Sequence, residues 1–459
     1  MIKIPRRLDD ILPAAAMERV LDVLQQPELT ASVRETLSKM GVKELNPIEK
    51  MQDAWRQTRV WLESMTGIQG SRRAATAVLN ATGQLFHPQL AGSSMASAVA
   101  YGYANAALSF QFLEELQMRA QQVGRTTLGC AHTAWVSDVG NALRLVAKQF
   151  GATSLVVARS DLLRIAVLGD VSSLLELANL PITEIGATNQ TTVDDWQQTL
   201  VQPSQLVVLV SPNSLPPSEA AAQRTAAIEA AQASGAQVLE ILLDGVVSPA
   251  VAETLHCPLA SQRLASGVDG IILPLNFLLG GPRGVLVAGE DARLGKLQRL
   301  ADMGGVALSG PGLAAAVITL QFEQQGNESE AGVASALQLN PENLKDRASR
   351  LVIQLNDYGP IAMAEAVERR IPIGPAPWNR YELSNWAVKL TPRSTVASIT
   401  DPLRQHREGR AILADYDATH AYFDLRFIMP SADHELVEAV SALVPNADGA
   451  SHSTMESGG

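Results

Sequence analysis

The side chains of this chain that could take part in chemistry are few and lie beside short apolar runs. Polar candidates for binding a substrate are His87, Arg159 and Asn189, although a structural histidine and an arginine paired at a strand end are equally good interpretations of the first two. The chain has no Gly-rich phosphate loop, G-x-S-x-G elbow or H-E-x-x-H motif. Cys130 and Cys257 are too few for a disulfide framework and lack metal-site spacing, so no metal is expected.

The most informative segment runs from Leu273 to Arg283 and reads L-P-L-N-F-L-L-G-G-P-R. It lies between two apolar runs, 267–272 and 284–289, and this pattern predicts a strand, a tight loop and a second strand. The Gly280-Gly281-Pro282 turn is better explained by backbone geometry than by phosphate binding.

Four continuous apolar runs predict strands that are buried on both faces. Ala-rich helical stretches alternate with them, and one of these ends at a glycine that can cap a helix. Strands separated by helices indicate parallel βαβ units and a doubly wound α/β sheet, with a ligand at the carboxyl ends of the strands. The predicted strands are 154–158, 206–210, 237–243 and 270–273, and the capped helix is 218–235.

The chain of 459 residues is long enough for several domains. We predict an N-terminal helical domain over 1–75, a large α/β domain over 76–325, a C-terminal α+β domain over 335–445 and a disordered tail over 446–459. The C-terminal domain is expected to contain helices at 343–355 and 433–443 and strands at 386–390 and 422–428.

Composition restricts the classes of function. A net charge of −11 argues against nucleic-acid binding through a generally basic surface. No apolar run reaches the 18 or so residues of a membrane-spanning helix, and the N-terminus lacks the apolar core of a signal peptide. A cytoplasmic protein without membrane contact is therefore expected.

Segments spread over most of the chain resemble, in the same order, the bacterial selenocysteine synthase family, the L-seryl-tRNA(Sec) selenium transferases. Residues 78–90 are similar to the family's I-N-A-T-G-V-V-L-H-T-N-L, residues 156–165 to I-V-S-R-G-E-L-V-E-I and residues 184–191 to E-V-G-T-T-N-R-T. Residues 382–390 and 423–430 resemble family strands. The resemblance implies a fold-type I scaffold, pyridoxal phosphate as cofactor, a homo-oligomer and tRNA as a partner.

The loop at 273–283 departs from the family pattern at its chemical centre. The family sequence S-G-D-K-L-L-G-G-P-Q matches Leu278 to Pro282, but Phe277 stands at the place of the Schiff-base lysine and Asn276 at the place of the preceding Asp. Only a primary amine can condense with the cofactor aldehyde, so we predict no catalytic residue here. We expect the ring of Phe277 to fill the vacated space.

Other positions lose charge as well. The acid that would pair with the cofactor ring nitrogen is replaced by Ile241, and Asp244 could serve only if its loop were shifted, since Asp-Gly is also an ordinary turn pair. The Lys, His and Arg of the family's L-L-K-V-H-T-S-N-F-R are replaced by Leu209, Ser211 and Pro216. A vestigial cofactor pocket is therefore predicted, formed by Asp244, Asn276, Gly280 and Gly281.

Three functions remain open at this point. The leading hypothesis is a catalytically degenerate paralogue that works as a binding or scaffolding protein. The first alternative is an active L-seryl-tRNA(Sec) selenium transferase. The second is a protein that holds a ligand without a covalent bond in the old pocket.

Overall fold

The computed structural model describes residues 76–90, 92–165, 168–325, 332–405 and 410–443. The predicted helical domain over 1–75 and the predicted tail over 446–459 lie outside the described residues. The described residues after Thr76 belong to one compact unit.

The strands are numbered in chain order. They are β1 (Val78–Ala81), β2 (His132–Val136), β3 (Ser154–Ala158), β4 (Arg164–Ile165), β5 (Gly169–Asp170), β6 (Ile182–Ile185), β7 (Gln205–Ser211), β8 (Gln237–Leu242), β9 (Gly270–Pro274), β10 (Val285–Gly289), β11 (Ile361–Pro372), β12 (Glu382–Pro392), β13 (Ala411–Tyr416) and β14 (Ala421–Asp424).

The α-helices are numbered in the same way. They are α1 (Ser97–Leu108), α2 (Leu113–Leu128), α3 (Val139–Phe150), α4 (Val171–Glu176), α5 (Val193–Thr199), α6 (Pro217–Ser234), α7 (Pro249–Leu255), α8 (Ala260–Ala265), α9 (Leu297–Met303), α10 (Gly310–Gln325), α11 (Gly332–Leu337), α12 (Pro341–Leu355), α13 (Ala397–Arg404) and α14 (Asp433–Ser441).

The main sheet has the strand order β2-β10-β9-β8-β7-β3-β6. β10 runs antiparallel to both of its neighbours, whereas β9, β8, β7, β3 and β6 pair in parallel. The mostly parallel α/β sheet predicted from the apolar runs is therefore confirmed. The helix predicted to end at Gly235 is α6, and this glycine adopts the left-handed conformation with φ 73° that ends the helix.

Both faces of the main sheet are covered, which explains why its strands have no polar alternation. Along β8, Leu239 and Ile241 face the apolar core that contains Phe277, whereas Val238 and Leu242 face a second core beneath α2, α6 and α10. Glu240 lies on the second face, so a charged side chain is buried within an otherwise apolar strand.

A second sheet has the strand order β1-β13-β14-β12-β11, and β1 pairs in parallel with β13. β1 thus belongs to the smaller sheet, although its residues fall within the range predicted for the large domain. The strand predicted over 422–428 is wrong in its second half, because β14 ends at Asp424. Leu425 and Ile428 are buried in a loop, where their carbonyl oxygens accept hydrogen bonds from the guanidinium of Arg347 at 2.9 Å and 2.7 Å.

Two kinds of feature are absent from the described residues. Within these ranges, no helix is long and apolar enough to cross a membrane. The same residues hold no group of three or more His, Cys, Asp or Glu side chains that could bind a metal ion.

Candidate functional site

The loop between β9 and β10 carries a buried cluster of three aromatic rings. Phe277 is only 3% exposed, and its ring centroid lies 5.6 Å from that of Phe86 and 5.6 Å from that of Trp378. The Phe277 and Trp378 rings are stacked with an interplanar angle of 26°, and the Phe86 and Trp378 centroids are 4.3 Å apart. The two separations of 5.6 Å fall in the range of about 4.5 to 7 Å in which aromatic pairs attract each other.

Three distant parts of the chain bring these rings together. Phe86 follows β1, and its backbone N–H donates a hydrogen bond of 2.8 Å to the carbonyl of Ile373 just after β11. Trp378 begins a short 3-10 turn that precedes β12. Ser93 then fixes the loop itself, because its hydroxyl donates to the carbonyl oxygens of Asn276 at 2.8 Å and Phe277 at 3.0 Å.

The two glycines of this loop are explained by close packing. Gly280 has φ 59°, and a Cβ there would lie 2.7 Å from a methyl carbon of Val333. A Cβ on Gly281 would lie 3.0 Å from the carbonyl oxygen of Leu275, to which the N–H of Gly281 donates at 2.8 Å. Backbone conformation and tight packing are therefore sufficient reasons for glycine at both positions.

Asp244 lies two residues beyond the end of β8 and is not part of the aromatic cluster. Its carboxylate is buried, and Oδ2 accepts hydrogen bonds from the hydroxyls of Ser211 at 3.0 Å and Tyr381 at 2.6 Å. Burial and the neighbouring Asp244 carboxylate raise the pKa of Tyr381, so this phenol stays protonated and donates. Asp244 is therefore held in a polar environment that contains no ring of the aromatic cluster.

Two further buried acids stand beside Asp244. Glu240 accepts from Arg224 Nε at 2.9 Å and from Arg263 at 3.2 Å, and burial raises its pKa against the effect of both arginines. Asp161 accepts from the N–H of Val210 and from side chains of Ser160, Asn213 and Gln223 at 2.9–3.1 Å. Burial raises the pKa of Asp161 to about 6 despite these donors.

The predicted substrate-binding residues are not joined to one another by hydrogen bonds or ion pairs within the described structure. Arg159 is an exposed strand-end residue whose Nε lies 3.3 Å from Glu184 Oε2. Burial lowers the pKa of His87, so its ring is mainly neutral at pH 7, and Nδ1 accepts from the N–H of Gln89 at 3.3 Å. Asn189 is exposed in the loop after β6. Their role in binding a substrate remains a prediction.

The positions predicted to have lost charge are apolar or structural. Ile241 is fully buried on the face that contains Phe277, and Leu209 is buried on the opposite face. Pro216 immediately precedes α6 and takes the N-cap position. Ser211 is the exception, because it donates its hydroxyl proton to Asp244.

Several residues of the aromatic cluster and of the surroundings of Asp244 were not predicted from the sequence. Phe86 lies within a family-like segment, but its contact with Phe277 has no sequence signal, and the same holds for Trp378 and Tyr381. Glu240 did have a signal, since a single charge in a strand buried on both faces requires a charged or hydrogen-bonding partner. Its partners Arg224 and Arg263 lie on α6 and α8.

The order of the main sheet, with its single antiparallel strand β10, defines the fold-type I class of pyridoxal-phosphate proteins. A solved structure of D-glucosaminate-6-phosphate ammonia-lyase superimposes with a TM-score of 0.58, covering 83% of this chain and 97% of that chain at 16% identity. The likeness extends over nearly the whole of that protein, and it supports the fold.

Sequence comparison gives the family. The family model described as L-seryl-tRNA selenium transferase matches residues 78–429. The L-seryl-tRNA(Sec) selenium transferase of Carboxydothermus hydrogenoformans is 23% identical over 446 residues, which cover 92% of this chain and 93% of that protein. The enzyme of the same name from Hyphomonas neptunium is 25% identical over 424 residues, covering 87% and 90%. The chain belongs to the L-seryl-tRNA selenium transferase family.

Family membership and fold imply pyridoxal phosphate as cofactor, so the loop can be tested for its fit to that group. Phe277 has no amine, and its ring is enclosed by Phe86 and Trp378. Ile241 on β8 is apolar and buried. No residue of this loop supplies the primary amine that covalent attachment of pyridoxal phosphate requires.

Proposed function

We propose that this protein is a catalytically degenerate member of its family that acts as a binding or scaffolding protein, beside an active paralogue. One observation carries the proposal. Phe277, which the sequence resemblance places at the lysine position, is buried in an aromatic cluster rather than exposed to a pocket. A side chain that forms an aldimine must be an amine and must reach the cofactor aldehyde.

No lysine among the described residues lies where the resemblance places the Schiff-base lysine. The described lysines are Lys148 on α3, Lys296 before α9, Lys345 on α12 and Lys389 on β12. The first two are exposed, Lys345 lies 3.6 Å from Glu342, and Lys389 lies 3.1 Å from Glu365. None of these four lies on the loop between β9 and β10.

Self-association fits the proposed scaffolding role. The end of α1 and the start of α2 expose several large apolar side chains, with Leu108 88% exposed, Phe112 83% exposed and Phe110 fully exposed. A short segment that exposes several large apolar side chains is typical of an interface between protein chains. We therefore propose a homo-oligomer, which sedimentation of wild-type protein and of the double variant Phe110→Ser with Phe112→Ser tests.

We propose tRNA as a binding partner because the two relatives are L-seryl-tRNA(Sec) selenium transferases. A filter-binding assay with seryl-tRNA(Sec) at several salt concentrations tests this partner. Contacts to phosphates give an affinity that falls steeply with salt, whereas a flat response contradicts tRNA binding.

An absorption spectrum and a transfer assay test the proposed loss of activity. We expect protein purified with excess pyridoxal phosphate and then desalted to show no aldimine band and to transfer no selenium to seryl-tRNA(Sec). A relative that carries the family lysine is the control and should do both. An aldimine band together with selenium transfer would establish the alternative, an active L-seryl-tRNA(Sec) selenium transferase.

A further inference from the structure

A cavity of about 500 Å³ lies at the carboxyl ends of β7 and β8, between these strands, α6, α8 and the segment that carries Tyr381. Neither Phe277 nor Ile241 lines it, so it is distinct from the aromatic cluster. Its volume is within the range of small-molecule sites in proteins. Its lining does include Leu209, Ser211 and Asp244, which the sequence resemblance places at charged or cofactor-binding positions of the family.

The cavity wall carries buried charges of both signs. Three guanidinium groups, from Arg224, Arg263 and Arg380, line it together with the carboxyl groups of Asp161, Glu240 and Asp244. Arg224 and Arg263 share the single carboxylate of Glu240, which leaves this group of three with a net positive charge. Arg380 donates to the backbone carbonyls of Asn213 and Leu215 and is not neutralised by an acid there.

Asp244 supplies the opposite charge with one oxygen unused. Both of its hydrogen bonds, from Ser211 and Tyr381, end on Oδ2, and no group among the described residues donates to Oδ1. The residue is 6% exposed and lines the cavity, so this oxygen can accept a hydrogen bond from a ligand or from solvent inside the cavity.

The two charges are close enough for one small molecule. The hydroxyl of Ser211 lies 3.4 Å from a terminal nitrogen of Arg263 and 3.0 Å from Oδ2 of Asp244. A simple anion would bind the arginines but would also meet three acidic side chains. A simple cation would bind Asp244 but would also meet three guanidinium groups. A molecule with both charges avoids either repulsion.

We propose that this cavity binds a small zwitterion of the α-amino-acid class. Its carboxylate pairs with the guanidinium of Arg263, and its ammonium donates to Oδ1 of Asp244. Apolar side chains of Pro217, Ala220 and Leu255 cover an uncharged side chain of the ligand. Cys257 also lines the cavity, but burial raises the pKa of its thiol to about 12, so the proposal is reversible binding without covalent chemistry.

Isothermal titration of the full-length protein tests the proposal. The probes are L-alanine, L-serine, L-valine and L-glutamine, and the controls are propionate and ethylamine, which each keep one of the two charges of L-alanine. We expect at least one amino acid to bind, and both controls to bind at least about tenfold more weakly than the amino acid. Failure of all four amino acids to bind at millimolar concentration overturns the proposal, and so does equal binding of either control.

Two variants assign the contacts. We expect Asp244→Asn and Arg263→Gln each to weaken binding of the amino acid by at least about tenfold. The matched control is Arg410→Gln, which breaks an ion pair between the residue before β13 and Glu435 on α14 and should leave the affinity unchanged. Circular dichroism establishes that each variant is folded. Unchanged affinity in a folded Asp244→Asn protein would contradict the proposal even if wild-type protein binds an amino acid.

Discussion

The loop between β9 and β10 and the carboxyl ends of β7 and β8 lie in one sheet but bury opposite kinds of side chain. At the loop, Phe277 packs with two other aromatic rings where the family resemblance predicts a charged amine. At the strand ends, Glu240 and Asp244 stay buried and are held by arginines and hydroxyls. The chain therefore lacks a charged group at Phe277 but keeps buried charged groups at the strand ends. The loop, where the family resemblance predicts chemistry, is thus distinct from the strand ends, where the buried charges are suited to binding a ligand.

The largest effect is expected from Phe277→Ala, which tests whether the aromatic cluster is part of the core. Removal of a buried ring leaves a cavity beside Phe86 and Trp378 and should lower the free energy of unfolding by about 3 to 5 kcal/mol. The matched variant Phe277→Leu should cost less than about 1.5 kcal/mol, because it keeps most of the volume. Chemical denaturation measures both. A loss of less than about 1 kcal/mol for Phe277→Ala would mean that the ring lies in an open pocket.

The next largest effect is expected at Glu240, which tests the charged region. Glu240→Gln leaves Arg224 and Arg263 without their shared acid, and we expect a loss of about 3 kcal/mol in the free energy of unfolding. The control is Glu365→Gln, because Glu365 pairs with Lys389 but is 44% exposed, and the loss there should stay below about 1 kcal/mol. Equal losses in the two variants would show that the buried arginines do not need Glu240.

A smaller, pH-dependent effect is expected from Asp161→Asn. The carboxyl of Asp161 has a pKa of about 6 in the folded protein, against an ordinary value of 3.8. Its contribution to stability is therefore fully present below about pH 4 and is lost as the pH rises through 6. Unfolding of wild type and variant should show their stability difference changing by about 2 kcal/mol in this direction.

Phe277→Leu is the control for this pH dependence, since it alters no titrating group. Its stability difference from wild type should be the same at pH 4 and pH 7. A difference for Asp161→Asn that is equally flat would show that Asp161 titrates in the folded protein as it does in the unfolded chain.

The smallest effect is expected at Arg159, which belongs to neither region. Its side chain is 54% exposed and pairs with an equally accessible Glu184, so Arg159→Ala should change the free energy of unfolding by less than about 1 kcal/mol. Thermal unfolding measures this change. A larger loss would show that Arg159 supports the sheet rather than being available for a ligand.

The sequence predicted the main sheet well because its strands are continuous apolar runs. The runs over 154–158, 206–210 and 270–273 correspond to β3, β7 and β9. The run over 422–428 was misread because apolar residues report burial, and a buried loop satisfied by Arg347 has the same composition as a strand. The assignment of β1 to the second sheet depends on its pairing with β13, which no local pattern encodes.

The sites were less predictable than the fold. The resemblance located Phe277 in sequence, but the rings that enclose it come from positions 86 and 378, which only the folded chain brings together. The assignment of Asp244 to a cofactor pocket stays a prediction, and its partners Ser211 and Tyr381 could not be found from the sequence because they depend on the packing of several elements.

Trapping with borohydride tests the central claim most directly. The protein is incubated with excess pyridoxal phosphate, reduced with borohydride, digested and analysed by mass spectrometry, and a relative that carries the family lysine serves as the positive control. The absence of an amine at Phe277 predicts no stoichiometric phosphopyridoxyl adduct on any peptide of this chain. A stoichiometric adduct on one lysine would contradict the account, because it would show that the chain has kept a covalent cofactor site.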